Sequence, residues 1–342
     1  MSSLAAETVV RRVRRRAARR TTLLLLALTA AVSLALIVRI TLGDYVITLP
    51  DVVRILRGAD IPGASYILLQ SKLPRAVLGL LVGVAFGVAG SLFQTTLRNP
   101  LASPDIVGVN FGASAMAVVA IVVFGLSGWW ISMAAIIGAV AIALTVRLLV
   151  GANGGTRLVL VGVGLSAALF ALVQYLFTRA DEWDAQVLLH WLTGSLNRAD
   201  WSSIRIVALL LVVLLTGVAF TARAARATQL GPDVAAGLGV SGHRADLLLL
   251  LAVLLCAVAT AAAGPLAFVA FLSGPIARAF NRGRPSLVAA ALVGGVLVVG
   301  ADHLAAYAVP DVNLPVGVVT GALGAPLLLW LLATGRTSRS MA

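Results

Sequence analysis

Residues 72–112 read KLPRAVLGLLVGVAFGVAGSLFQTTLRNPLASPDIVGVNFG. An apolar run of membrane length carries Gly79, Gly83, Gly87 and Gly90 and then meets a polar, proline-broken turn, Leu97-Arg98-Asn99-Pro100-Leu101-Ala102-Ser103-Pro104. Glycines at this spacing share one helical face, where a second helix can approach at backbone distance. A proline break at membrane depth frees backbone polar groups, which lipid tolerates only under a cover of protein or beside a water-filled path. The stretch therefore predicts a helix held inside a bundle by Gly79, Gly83 and Gly87, abutting something that opens. That points to a transporter or channel rather than an anchor.

Composition sets the class. Of 342 residues, 60% are hydrophobic and 11% charged, against about 25% charged in a soluble domain. The chain is predicted to be an all-α, polytopic membrane protein, with no room between apolar spans for a soluble catalytic or nucleic-acid-binding domain. A net charge of +13 is then read as cytoplasmic loops held against anionic lipid. Lys72 is the only lysine and lies in Ser71-Lys72-Leu73, so no Gly-Lys-Ser/Thr phosphate loop exists and ATP is not hydrolysed here by that chemistry. Cys256 stands alone in an apolar run, without metal-ligand spacing, and reads as a small packing residue. His190, His243 and His303 are scattered and support neither a catalytic triad nor a metal site. Gly162-Val163-Gly164-Leu165-Ser166-Ala167 fits a dinucleotide pattern but sits inside a membrane-length run, where helix packing explains it.

About ten spans of roughly 17 to 25 residues can be placed, near 22–40, 76–97, 111–127, 129–150, 158–178, 203–222, 245–263, 267–281, 286–306 and 315–333. Arginines 11, 12, 14, 15, 16, 19 and 20 precede the first span and put the N-terminus in the cytoplasm. A cleaved signal peptide also begins with basic residues, but this span is long and its removal would leave an odd count. The expected organisation is a basic cytoplasmic tail over 1–21, a transmembrane domain over 22–334 and a cytoplasmic tail over 335–342. Most basic residues then fall inside, and most acidic ones, including Asp181, Glu182, Asp184 and Asp311, outside. Asp302 lies near the outer end of the ninth span, where an ionisable group must be paired or wet. It is either an interfacial carboxylate bonded to helix ends or part of a path.

Three loop segments exceed simple turns. Leu49–Leu69 is amphipathic and would lie on the outer membrane surface, and a second such stretch surrounds Trp183 and Trp191. On the inner side Gly231-Pro232-Asp233-Val234-Ala235-Ala236-Gly237-Leu238-Gly239 has proline at a first helical turn and glycine after the last. A helix of about two turns cannot stand alone in water, so it is expected to dock onto a partner. Asn99-Pro100-Leu101-Ala102 after the second span is echoed by Gly264-Pro265-Leu266-Ala267 after the seventh, on the opposite side, as an inverted-topology repeat requires.

The run LPR…GxxxGxxxG…Q…RNPLAxPxxxGxxxGA, Leu73 to Ala113, resembles the signature of the iron–siderophore and vitamin B12 ABC-transporter permeases, the FecCD family. Further matches follow in order: Leu230-Gly231 with Ala235 and Leu238-Gly239, Gly264 to Val269, Pro275 to Arg278, Ala301-Asp302, Leu314 to Gly317 and Gly324 to Pro326. The resemblance implies a ten-helix permease in the bacterial inner membrane with both termini cytoplasmic, importing ferric siderophores or a related chelate by alternating access. It implies a second permease, identical or paralogous, two ATPase subunits that hold ATP and magnesium, and a substrate-binding protein. This chain would bind no cofactor or metal and carry no catalytic residue. By the same resemblance Lys72 and Arg75 dock the binding protein. Asn99, Leu101, Gly154, Gly155 and Thr156 form the cytoplasmic gate. Gly231, Asp233, Ala235, Gly237, Leu238 and Gly239 belong to a coupling helix at about 231–238.

Three positions depart from the family pattern. Ile276 replaces the usual histidine, Ala306 an arginine and Asn313 a glutamate. The last two fall outside, so one docking contact is expected to be missing. The rival class, an ion-coupled transporter working without an ATPase, needs a carboxylate near mid-membrane; the predicted spans offer none.

Overall fold

The computed structural model describes residues 3–105, 107–151, 155–240, 242–309 and 312–333. Among the described residues, every regular element is helical. They are α1 (Ser3–Thr41), α2 (Leu49–Leu56), α3 (Ala64–Tyr66), a π-helical segment (Ile67–Lys72) and α4 (Leu73–Leu97), then α5 (Val109–Val122), α6 (Trp129–Val150), α7 (Gly155–Phe177) and α8 (Glu182–Thr193). The second half holds α9 (Trp201–Thr228), α10 (Pro232–Gly237), α11 (Gly242–Ala263), α12 (Val269–Phe280), α13 (Leu287–Tyr307) and α14 (Val316–Ala333). Seven helices are long and apolar enough to cross a membrane, and α5, α12 and α14 are shorter apolar helices. Each coincides with one of the expected spans.

The helix ending in α4 is the hub. α1, α9, α11, α12 and α13 all pack on it, and its apolar window is 78% buried against 11% for that of α1. The reason is the glycine face. A Cβ on Gly83 would run into the carbonyl of Gly294, one on Gly87 into that of Ala290, and one on Gly90 into that of Ala270. α13 and α12 therefore lie on α4 at backbone distance, as the spacing predicts. Apolar side chains drive little association where lipid is equally apolar; close packing does it instead. Gly112 of α5 and Gly138 of α6 meet in the same way, each blocking a side chain on the other. That pair did not stand out in the sequence.

Two boundaries differ from expectation. α1 begins at Ser3 and runs as one helix through the basic segment, instead of beginning near residue 22. The second span begins at Ala64, twelve residues early, and passes through a π turn before Pro74. A proline inside a helix has no N–H to give and its ring crowds the carbonyl four residues back. A π turn there widens the backbone, and the carbonyl of Leu69 is taken up by the indole N–H of Trp201 at 2.8 Å.

The inverted echo has a backbone counterpart. α4 ends at Arg98 (φ 50) and the next helix starts after Gly108 (φ 91); α11 ends at Gly264 (φ 73) and its successor starts after Phe268 (φ 64). Each Pro-Leu-Ala segment thus lies between two left-handed residues and leads into a short apolar helix.

Candidate translocation cavity

A cavity of about 870 Å³ opens between α5, α7, α8, α12 and α14. Its wall is mostly aromatic and aliphatic, with Phe111, Phe170, Phe268 and Phe271 prominent, and its polar groups include Ser103, Asp105, Asn110 and Ser166. Phe111 and Phe170 meet edge to face, as do Phe268 and Phe271. One end is closed by a backbone knot. Ser195 N–H donates to the carbonyl of Ala263 at 2.7 Å and Gly317 N–H to that of Gly194 at 3.2 Å. A Cβ on Gly264 would strike the carbonyl of Trp191, and one on Gly317 that of Thr193. Only glycine lets α8, α11 and α14 meet so closely.

The polar wall is an ordered relay. Thr260 Oγ1 donates to Asn110 Oδ1 at 2.9 Å, and Asn110 Nδ2 donates to Asp105 Oδ1 at 2.9 Å. Cys256 Sγ sits 3.5 Å from Asn110 Oδ1, so the lone cysteine packs against the relay. Asp105 Oδ2 and the Ser103 hydroxyl are buried without a hydrogen-bond partner. The expectation of no carboxylate at mid-depth needs correction here. The spans hold none, but the loop after α4 folds back and carries Asp105 to the level of Cys256, well inside α11. The signal was the length of the Pro100–Gly108 break, which allows the chain to re-enter the bundle before α5 starts.

At the end where α4, α9 and α12 terminate, hereafter the basic end, lie the expected gate and coupling segments. Leu101 N–H donates to Asn99 Oδ1 at 2.9 Å, an Asx turn that shapes the break. Leu101 is exposed there. Gly154 lies outside the described residues; Gly155 and Thr156 open α7, and the Thr156 side chain is likewise outside them. α10 is shorter than expected, six residues from Pro232 to Gly237. Gly231 (φ 105) precedes it and Gly239 (φ 79) follows, while Val240 N–H closes back on the carbonyl of Ala235 at 2.9 Å. Asp233 stands in the first turn and Ala235 is buried against the chain. Leu230, Val234 and Leu238 are exposed, Val234 on the helix, Leu230 just before Gly231 and Leu238 at its C-cap. A Cβ on Gly231 would lie 3.5 Å from Arg98 Nη1, so the start of this helix adjoins the end of α4.

At the opposite end Lys72 and Arg75 are placed differently from expectation. Lys72 is 5% exposed, and its Nζ donates to the carbonyls of Leu42 at 2.9 Å and Tyr45 at 2.6 Å. Arg75 Nε reaches Asp302 Oδ1 at 2.8 Å, and Arg39 Nε reaches Oδ2 at 2.5 Å. Asp302 is 1% exposed, neither bonded to helix ends nor part of the cavity wall. Both expected docking head groups are therefore taken up within the chain. Spacing could place them near the surface but could not reveal that α1 and α13 supply their partners.

A profile of the FecCD transport family matches residues 27–334. The chain is 40% identical over 265 residues to the ferric enterobactin transport system permease protein FepG of Escherichia coli (strain K12), covering 76% of this chain and 80% of that one. It is 36% identical over 324 residues to the probable siderophore transport system permease protein YfhA of Bacillus subtilis (strain 168), covering 91% and 93%. A solved structure of a metal-chelate type ABC transporter in an inward-facing conformation superposes with a TM-score of 0.79 at 24% identity, covering 91% of this chain and 98% of that one. At that identity the match establishes the fold.

Proposed function

Because this chain belongs to the FecCD transport family and is a multi-pass permease of the ABC-importer type, we propose that its cargo is a ferric siderophore or a related metal chelate. Transport proceeds by alternating access, with ATP and magnesium held on separate ATPase subunits and a second permease, identical or paralogous, facing the cavity. The relatives carry the cargo class: their names refer to ferric enterobactin and to siderophores. An aromatic and aliphatic wall enclosing about 870 Å³ suits a bulky organic chelate.

The observation that carries the mechanism is the exposed apolar surface at α10, Val234 within the helix and Leu230 and Leu238 flanking it. An apolar face on so short a helix at a membrane surface needs a partner, and an ATPase cleft supplies one. The basic end is then cytoplasmic, in keeping with the positive-inside bias. Nucleotide-driven movement of α10 passes through Arg98, beside Gly231, to the gate at Asn99 and Leu101. The binding protein meets the opposite end. Lys72 and Arg75 brace α4 behind that face, and the exposed Arg57 and Arg198 offer free charge for steering.

Reconstitution with a cognate ATPase and binding protein tests the proposal. Uptake of a radiolabelled ferric chelate that requires ATP and all components is expected. Uphill accumulation by this chain alone, without nucleotide, would overturn it.

A further inference from the structure

A second cavity, of about 690 Å³, lies between α1, α4, α9 and α13 and opens at the basic end. Its wall is apolar, with Val84 and Val88 on α4 and Leu215 and Val218 on α9; its rim carries Arg226 and Arg284. Ala219 and Ala222 line the interval and leave room that larger side chains would fill. From Leu215 to Arg226 a helix rises about 16 Å, close to half of the roughly 30 Å hydrocarbon thickness. The crevice is therefore one leaflet deep, apolar along its length and basic at its mouth. Arg226 and Arg284 are both exposed, and among the described residues the carboxylates in ion pairs are Asp51, Asp246 and Asp302, each bound elsewhere. The rim charges are uncompensated.

The geometry points to a binding site for an anionic phospholipid, its phosphodiester against Arg226 and Arg284 and an acyl chain along Val84, Val88 and Leu215. The site rests on the proposed orientation, which puts the rim at the cytoplasmic leaflet, where anionic headgroups meet basic pockets between helices. The lipid fills the gap that separates α9 from α1 and α13 and so helps to seat the weakly buried α1.

Native mass spectrometry of the full-length protein in mild detergent, titrated with dioleoylphosphatidylglycerol or dioleoylphosphatidylethanolamine, tests the site. Phosphatidylglycerol is expected to be retained in preference. Arg226→Ala with Arg284→Ala should weaken its retention on the order of tenfold or more and leave phosphatidylethanolamine unchanged, while the double lysine variant restores it. Ala219→Leu with Ala222→Leu should lower retention of both lipids. Equal retention of the two lipids by the unsubstituted protein overturns the inference, as does undiminished phosphatidylglycerol in the double alanine variant. Loss of ATPase co-purification with lipid retention unchanged would assign the rim to a protein partner and also overturn it. No cargo enters these readouts, so failure of the chelate proposal leaves them intact. Labelling of Ser286→Cys by an impermeant maleimide reports the orientation separately.

Discussion

Arg75 on α4 and Asp302 on α13 share a buried ion pair, the guanidinium Nε lying 2.8 Å from Oδ1. Arg39 of α1 takes the other carboxylate oxygen, so one acid joins three helices far apart in the chain. Taking charges out of water costs several kcal/mol per ion and is offset only when partners are close and well oriented. Two guanidiniums share a single carboxylate here, and Arg75 Nη2 is left without a partner. The cluster specifies where α1 sits more than it adds stability.

Asp302→Asn should therefore destabilise strongly, by about 3–5 kcal/mol, because two buried cations lose their counter-charge. Thermal unfolding in detergent measures this. A variant that melts like the unsubstituted protein yet fails to transport would show that Asp302 acts in transport itself.

Packing at the glycine face gives a second test. Gly83→Leu puts a side chain into the carbonyl of Gly294, with no flexible neighbour to yield, so the bundle should loosen by several kcal/mol, as overpacked cores do. Gly300→Ala on α13 meets nothing within 4 Å and should be neutral or gain up to about 1 kcal/mol from helix propensity. Similar melting temperatures for the two variants would contradict the close α4–α13 approach.

At the C-cap of α10, Leu238→Asp places a charge in the exposed apolar surface. Membrane insertion should be unaffected, whereas co-purification with the ATPase and transport-coupled ATP hydrolysis should fall to background. Gly237→Asp should behave alike. Retained coupling in both variants would remove this helix from the mechanism.

Within the cavity wall, Thr260→Val deletes the donor to Asn110 and should cost about 1 kcal/mol. Asp105→Asn is the more informative change. The amide removes the charge of a buried carboxylate whose Oδ2 has no hydrogen-bond partner, and burying a neutral group costs less, so the melting temperature should hold or rise while uptake falls. This is the pattern of a polar group kept for function at the expense of stability. A lower melting temperature with full uptake would make Asp105 purely structural.

The sequence by itself determined the class and the layout: membrane-length apolar runs, the glycine face of α4 and the Pro-Gly bounds of α10 are local patterns, legible because period and length carry them. Lys72, Arg75 and Asp105 show what was not legible. Lys72 and Arg75 were expected on an outer surface, yet their partners lie on the loop after α1 and on α13, which no spacing brings together. Asp105 was invisible as a cavity residue because a loop that folds back to membrane depth reads like any polar turn. Whether a charge faces water or another helix depends on which distant segments pack beside it. That depends on the tertiary contacts of backbone at glycine distance, and only the folded bundle decided them.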